Sequence, residues 1–330
     1  LLICCLLAAK AHLQAQPNLD QSPFHLRADS LRAAGQIDSA FNWLDTEKTK
    51  LERQNRLQSA DYVTVLFAIG KQYFNYGKLD QATPILRHAL DLHRQIAPAD
   101  LANQAVLLYA LADCYEFSPE RNKAIPLYEN ALELNLIVFG DNTRQAARGY
   151  YEMAIIHTLV GNYETATDNG LKAVRCLKNA GLSHEADYSG YHQVLGWIHH
   201  EEGDLHTALY YYHLALPMLL ERLGAQDETA KCLSTIGEAY AKTGDIPKAL
   251  EYQLAAANMF EQISGPKNRY LPNCLGYLGA TYIYANQPDK ALEYLRRAGN
   301  LVNPTAPPGP FLSIQFSKAS PVFWMVYIWL

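Results

Sequence analysis

Residues 228–261 read ETAKCLSTIGEAYAKTGDIPKALEYQLAAANMFE, and the small and aromatic residues in this stretch stand at fixed offsets. Gly237 and Tyr240 share one face of a first predicted helix, and Ala249 lies on the facing side of a second. Gly244 separates the two helices, because glycine tolerates the positive φ with which many helices end. Small residues on both facing surfaces allow the two backbones to approach closely. The stretch therefore predicts a helical hairpin.

The same offsets recur along the chain. The sites equivalent to Gly237 are separated by 42 residues, or once by 41, and are always small: Ala28, Gly70, Ala112, Ala154, Gly196 and Gly279. The sites equivalent to Ala249 are alanine every time: Ala40, Ala82, Ala124, Ala166, Ala208 and Ala291. The turn site reads Gly35, Gly77, Pro119, Gly161, Gly203, Gly244 and Asn286. Seven small residues in register indicate a repeat array.

This pattern resembles the tetratricopeptide repeat (TPR), in which a small residue is followed by tyrosine, glycine and alanine at set distances. The usual period of that repeat is about 34 residues, and the longer period seen here is similar to that of kinesin light chains and of many bacterial proteins. The resemblance covers roughly residues 21–303. It implies an all-α fold, a right-handed TPR superhelix (α-solenoid) of about seven helical hairpins. It also implies a protein–protein interaction scaffold, although repeats of this kind bind unrelated partners.

Composition narrows the class of partner. A chain of 330 residues with 49% hydrophobic content is long enough for a continuous core, and a repeat array has no upper size because each unit needs only its neighbours. The formal charge is −5, without a block of Lys or Arg, and a nucleic-acid surface normally shows a clustered basic footprint. We therefore expect a protein or peptide partner and no nucleic acid.

The N-terminal residues 1–16 read LLICCLLAAKAHLQAQ and resemble the apolar region and cleavage zone of a secretory signal peptide with a truncated start. Ala15 is a plausible last residue before cleavage. The alternative is an N-terminal helix buried against the first repeat. The signal interpretation predicts an exported protein, periplasmic or membrane-associated.

The C-terminal residues 304–330 break the repeat pattern. They begin with PTAPPGP, which is incompatible with a helix, and end with VFWMVYIWL at 322–330. Nine apolar residues are too few to cross a bilayer, which requires about 20. Two interpretations stay open: the start of a transmembrane helix that the sequence cuts short, or a sequence artefact in place of an eighth hairpin. Contact with a membrane is expected only through the first.

Candidate chemistry is sparse. Outside residues 1–16 the cysteines are Cys114, Cys176, Cys232 and Cys274, and none forms a CxxC pair, so we expect buried free thiols. His192, His199, His206 and His213 are spaced by seven, which could suggest a metal site. The predicted turn at Gly203 divides them between two helices, which favours core-filling and surface histidines instead. We predict no enzyme activity, catalytic residue, cofactor or metal.

A partner-binding groove is expected along the first helices, which line the concave side of this architecture. Residues next to the core positions combine rings with single charges: Phe67, Lys71, Phe74, Tyr109, Asp113, Tyr151, Trp197, Lys231 and Glu238. Rings serve as anchors and charges set the register of an extended or helical peptide. Four of them are predicted to form a ladder: Phe67, Tyr109, Tyr151 and Trp197. The alternative for each ring is packing between adjacent hairpins.

Three functions compete at this point. The first is an extracytoplasmic scaffold that binds a partner in the TPR groove. The second is the sensory region of a membrane receptor histidine kinase, and the third is the regulatory array of a caspase-like (CHAT-type) peptidase. The sequence that follows Leu330 in the gene would discriminate among them, as a stop codon, a membrane span with kinase motifs, or a Cys/His peptidase domain.

Overall fold

The structure, a computed structural model, describes residues 19–184 and 186–302, without the side chains of Ala186 and Asp187. The described residues form consecutive α-helices and short 3-10 turns, with no β-strand among them. The α-helices are α1 (Pro23–Ala33), α2 (Ile37–Arg53), α3 (Ala60–Asn75), α4 (Leu79–Ile96), α5 (Leu101–Glu116), α6 (Ala124–Phe139), α7 (Arg144–Leu159), α8 (Tyr163–Asn179), α9 (Ala186–Glu202), α10 (Leu205–Arg222), α11 (Asp227–Thr243), α12 (Ile246–Ser264), α13 (Leu271–Tyr284) and α14 (Pro288–Val302). They pair in order as seven hairpins, which confirms the predicted all-α class and hairpin number. The predictions for residues 1–16 and 304–330 lie outside the described residues.

The chain divides into two compact units, one ending at Ser183 and the other beginning at His184. The first unit contains α1–α8 and the second contains α9–α14. Inside each unit every hairpin packs against the next one. A large apolar cluster extends through most of the first unit, and the second unit contains one cluster from Ala208 to Leu275 and a smaller one around Leu278 and Ala291.

The predicted close approach of the two helices in a hairpin is confirmed. A Cβ atom built on Gly237 of α11 would lie 2.5 Å from Cγ of Gln253 and 3.1 Å from the carbonyl oxygen of Ala249, both on α12. The residue sixteen positions after the small one thus packs directly over it. The same relation holds for Gly70 with Leu86 and for Gly196 with Tyr212. This contact explains why the site is small in every repeat.

The turns follow the predicted glycines. Gly77 and Gly244 end their first helices with φ of 68° and 87°, values that favour glycine. Asn286 takes the same role in the last hairpin with φ 55°, as asparagine tolerates this region best after glycine. The hairpin of α5 and α6, which has Pro119 at this site, is joined instead through a 3-10 turn at Arg121–Lys123.

Rings fill the space beside several of the small residues. Tyr240 stacks on Tyr252 with ring centroids 5.6 Å apart, and His199 stacks on Tyr211 at 5.7 Å. His199 stands three residues after Gly196, as Tyr240 does after Gly237, and it therefore occupies the place of the core tyrosine. The four cysteines beyond residue 16 are buried free thiols, as predicted: Cys114, Cys176, Cys232 and Cys274. Within residues 19–302, no helix has both the length and the apolar character needed to cross a membrane.

Candidate partner-binding face

Neighbouring first helices lie side by side within each unit. Lys71 of α3 donates to Asp113 of α5 at 3.3 Å, and Lys242 of α11 lies 2.7 Å from Nε2 of His200 on α9. Both pairs are 42 residues apart, one repeat along the chain. We call the surface formed by the first, fourth and fifth residues after each small core residue the first-helix face of that unit.

Two predicted groove rings lie beneath this face. Phe67 is fully buried, with its ring centroid 5.4 Å from that of His25. Tyr109 is 3% exposed and accepts a hydrogen bond of 3.2 Å from Asn135 on α6. Both rings pack inside the helix stack, so the predicted ladder of four partner-facing rings is wrong for these two.

The other predicted rings are half-buried and reach the surface. Trp197 donates from Nε1 to Glu201 at 3.1 Å, one turn further along α9. Phe74 lies against Phe117, with ring centroids 5.8 Å apart, and beside the ammonium group of Lys71. Tyr151 is half-buried on α7. Their role in binding a partner stays a prediction.

The predicted charged residues all have intramolecular partners. Lys231 pairs with Glu228 at 3.1 Å and lies 4.9 Å from the ring of Tyr270. Glu238 pairs with Lys242 at 2.9 Å. A partner that binds at these positions therefore has to share or replace existing ion pairs.

A charged cluster covers the first-helix face of the first unit. The hydroxyl of Tyr128, on α6, donates to Glu116 at 2.6 Å and lies 3.0 Å from the Asp113 carboxylate. Lys71 donates to the other oxygen of Asp113. Sequence reasoning missed Tyr128 because its helix faces away from the predicted groove. Its position sixteen residues after Ala112 was the available signal, since this is the position that packs over the small residue.

Glu152 and Arg148 of α7 flank this cluster. Arg148 Nε lies 3.6 Å from the Glu152 carboxylate. Burial, with repulsion from Asp113, raises the pKa of Glu152 to about 8, and burial also raises the pKa of Glu116. Three carboxyl groups, those of Asp113, Glu116 and Glu152, thus lie close to two cations, those of Lys71 and Arg148. Neither Arg148 nor Glu152 was singled out from the sequence as a groove residue.

Leu19 and Asp20, which precede α1, contact the same region. The backbone N–H of Leu19 donates to Asn103 Oδ1 at 3.0 Å, and the Asp20 carboxylate lies 3.9 Å from Arg148. Leu19 is 4% exposed. These contacts join residues 84 or more positions apart, which no periodicity argument could foresee.

The first-helix face of the second unit carries a smaller cluster around His200. Lys242 reaches both His200 Nε2 and Glu238, while the Glu238 carboxylate lies 3.7 Å from His200. Burial and the Lys242 ammonium lower the pKa of His200, so the neutral imidazole accepts the hydrogen bond from lysine. Together with Trp197 and Glu201, these residues form one contiguous polar and aromatic patch. In the part of the chain that the structure describes, no three His, Cys, Asp or Glu side chains are placed to hold a metal ion.

Known family models match parts of the repeat array. Two models described as tetratricopeptide repeat match, one at residues 187–262 and 228–301 and the other at 107–138. The chain is a tetratricopeptide-repeat protein. No curated protein matches this TPR chain significantly.

Solved structures share the fold of this TPR protein at low sequence identity. The apo form of the quorum sensor NprR from B. thuringiensis is 15% identical, with a TM-score of 0.67 over 85% of this chain and 75% of its own. A Rap protein complexed with Competence and Sporulation Factor is 15% identical, with a TM-score of 0.56 over 82% of this chain and 80% of its own. A Podosopora anserina protein of kinesin light chain type with nearly identical TPR-like repeats is 14% identical, with a TM-score of 0.53 over 60% of this chain and 94% of its own. These likenesses show that the chain shares the helical-hairpin fold of TPR structures.

Proposed function

We propose that this TPR protein is a non-enzymatic scaffold that binds a peptide or protein segment along its first-helix faces. The observation that carries the proposal is the patch around His200, in which the half-buried Trp197 ring and several charged groups lie side by side on one surface. A partly buried ring supplies apolar contact area, and the charges beside it select the register of a partner. The similar fold of a Rap protein solved with Competence and Sporulation Factor supports a peptide as the bound species.

A random peptide library displayed on phage and panned against the full chain tests this proposal. Selected peptides are then titrated calorimetrically against the wild-type protein and against Trp197→Ala. Truncation of an anchoring ring typically costs about 2 kcal/mol or more of binding free energy, so we expect a loss of affinity of about thirtyfold. Tyr210→Ala is the matched control, because Tyr210 is 60% exposed and lies on the second helix of the same hairpin.

Thermal melts of both variants show whether Trp197 acts through binding or through stability. Selected peptides that bind Trp197→Ala and the wild type equally would contradict a role for this face. A panning experiment that selects no binding peptide would contradict the peptide-binding function itself.

We further propose that the protein is exported, on the evidence of the apolar run at residues 1–9 and the small residue at Ala15. Leu19 is buried against the helix stack, so a cleavage site upstream of it leaves every described contact intact. The histidine kinase and peptidase alternatives stay predictions, since both depend on sequence that follows Leu330.

A further inference from the structure

We infer that the second unit contains a subsite for a guanidinium side chain of the bound partner, formed by Glu201, Glu238, Trp197 and the hydroxyl group of Tyr212. This inference rests on the proposed function and deepens it, because it names the chemistry that the first-helix face of the second unit selects in a peptide.

The hydroxyl of Tyr212 is the first observation. Tyr212 is 2% exposed, and its hydroxyl has no hydrogen-bond partner among the described residues. A buried polar group without a partner costs stability, so such groups are rare in native proteins and often point to a missing ligand. The ring is held in place by contact with Gly196 and lies edge-on to His200, with ring centroids 6.4 Å apart.

The equivalent tyrosine in the first unit shows where this hydroxyl points. Tyr128 follows Ala112 by sixteen residues, as Tyr212 follows Gly196, and its hydroxyl contacts the side chains at the first and fourth positions after the small residue. Those side chains are Asp113 and Glu116 in the first unit. The second unit has Trp197 and His200 there, and neither supplies a carboxylate. The hydroxyl of Tyr212 thus faces the same surface without the acceptors that satisfy Tyr128.

Two carboxylates contact the side chains at these two positions: Glu201 accepts from Trp197, and Glu238 lies 3.7 Å from His200. Burial is the main cause of the raised pKa of Tyr212, and the charges of Glu238 and Glu201 contribute to it after the Cys232 thiol. Trp197 orients Glu201 through its indole N–H, and Lys242 holds Glu238. The two carboxylates therefore belong to the patch formed by Trp197 and His200, against which the Tyr212 ring packs edge-on.

The charge balance of the patch favours a cation. Two carboxylates face one ammonium group, that of Lys242, and the neighbouring imidazole of His200 is neutral because its pKa is lowered by burial and by Lys242. The patch thus keeps one net negative charge. A guanidinium group suits it better than an ammonium group, since its planar fork of five N–H donors can reach two carboxylates and a hydroxyl together. Its face can also stack on an indole such as that of Trp197.

The test uses the peptides selected on the full wild-type chain. In the tightest binder, each Arg or Lys is replaced by Gln, and affinities are measured against wild type, Glu201→Gln/Glu238→Gln and Tyr212→Phe. We expect that replacing one particular Arg of the peptide lowers its affinity for the wild-type chain about tenfold or more, because hydrogen bonds between charged groups are stronger than neutral ones. That loss should shrink to about twofold or less in the double Gln variant, because the two changes remove the same interaction. Glu251→Gln, an exposed residue of α12, is the matched control and should leave the full loss in place.

Tyr212→Phe separates a ligand-binding hydroxyl from a purely structural one. If the hydroxyl receives the guanidinium, this variant weakens binding of the Arg peptide severalfold and leaves its Gln counterpart unchanged. The inference is overturned if no cationic position couples to the Glu201 and Glu238 pair, or if Tyr212→Phe weakens both peptides alike; the proposed function then still stands. If no peptide binds the wild-type chain, both the proposed function and this inference are rejected.

Discussion

Tyr128 donates a hydrogen bond of 2.6 Å to Glu116 across the hairpin of α5 and α6, and both side chains are buried. The carboxylate is partnered in the interior, where an unpartnered one would be costly. Tyr212 occupies the equivalent position of a later repeat and has no such acceptor. The same residue type in the same repeat position therefore has opposite energetic consequences.

We predict that Tyr128→Phe destabilises the protein, whereas Tyr212→Phe does not. The first change leaves Glu116 without its donor and should lower the free energy of unfolding by about 1–3 kcal/mol. The second removes a hydroxyl that already lacks a partner, so stability should stay the same or rise. Urea denaturation followed by circular dichroism measures both. Equal destabilisation by the two substitutions would contradict the assigned hydrogen bonds.

Two helical glycines should respond in opposite directions to alanine. Gly237→Ala places a methyl group 3.1 Å from the backbone of α12, so the helices must move apart, at a cost of about 1–3 kcal/mol. Gly276 of α13 has no neighbour within 4 Å of a built Cβ atom, so alanine there should stabilise the helix by about 0.5–1 kcal/mol. Thermal melts of both variants provide the comparison. A higher melting temperature for Gly237→Ala would count against the close helix contact.

Glu152 should make the protein less stable as pH rises. Its pKa is about 8 in the folded protein, against a reference value of 4.5, so the folded state binds more protons than the unfolded state between these values. Stability from this group is therefore fully present below about pH 4.5 and is lost as pH rises to about 8. The slope is at most about 1.4 kcal/mol per pH unit for one proton.

Buried histidines act in a separate pH window. Burial lowers the pKa values of His157 and His192 below 6.5. Their contribution to the free energy of unfolding is therefore lost only as pH falls below that value. Urea titrations between pH 7 and 8.5 therefore report mainly on Glu152. Glu152→Gln should reduce the decline of the unfolding free energy between pH 7 and 8.5. The exposed control Glu251→Gln should show the same decline as the wild type. A decline that persists in Glu152→Gln would assign it to another group.

The signal-peptide interpretation predicts a processed N-terminus. In the native host, the mature protein should begin near Gln16 and be found outside the cytoplasm. N-terminal sequencing of protein from the native host, with cell fractionation, measures both properties. Unprocessed protein confined to the cytosol would disprove export.

The sequence by itself determined the hairpin fold, because the contact between paired helices has a local signature. Ala249 and Gly237 lie on one continuous stretch, and each close helix pair needs small residues at fixed spacing. The turn glycines and the buried cysteines could be predicted for the same reason. Each depends on residues less than one repeat apart.

Only the tertiary structure decided which side chains form the candidate site. Whether a ring such as Tyr109 is core or surface depends on the helices packed against it, and a hairpin taken alone does not specify them. Tyr128 and Tyr212 differ because only the first has carboxylate acceptors at the neighbouring first-helix positions. The contact of Leu19 with Asn103 joins residues 84 positions apart. The burial and the ion pairs of a side chain depend on residues from several repeats. The fold of one repeat, in contrast, is set by contacts within that repeat.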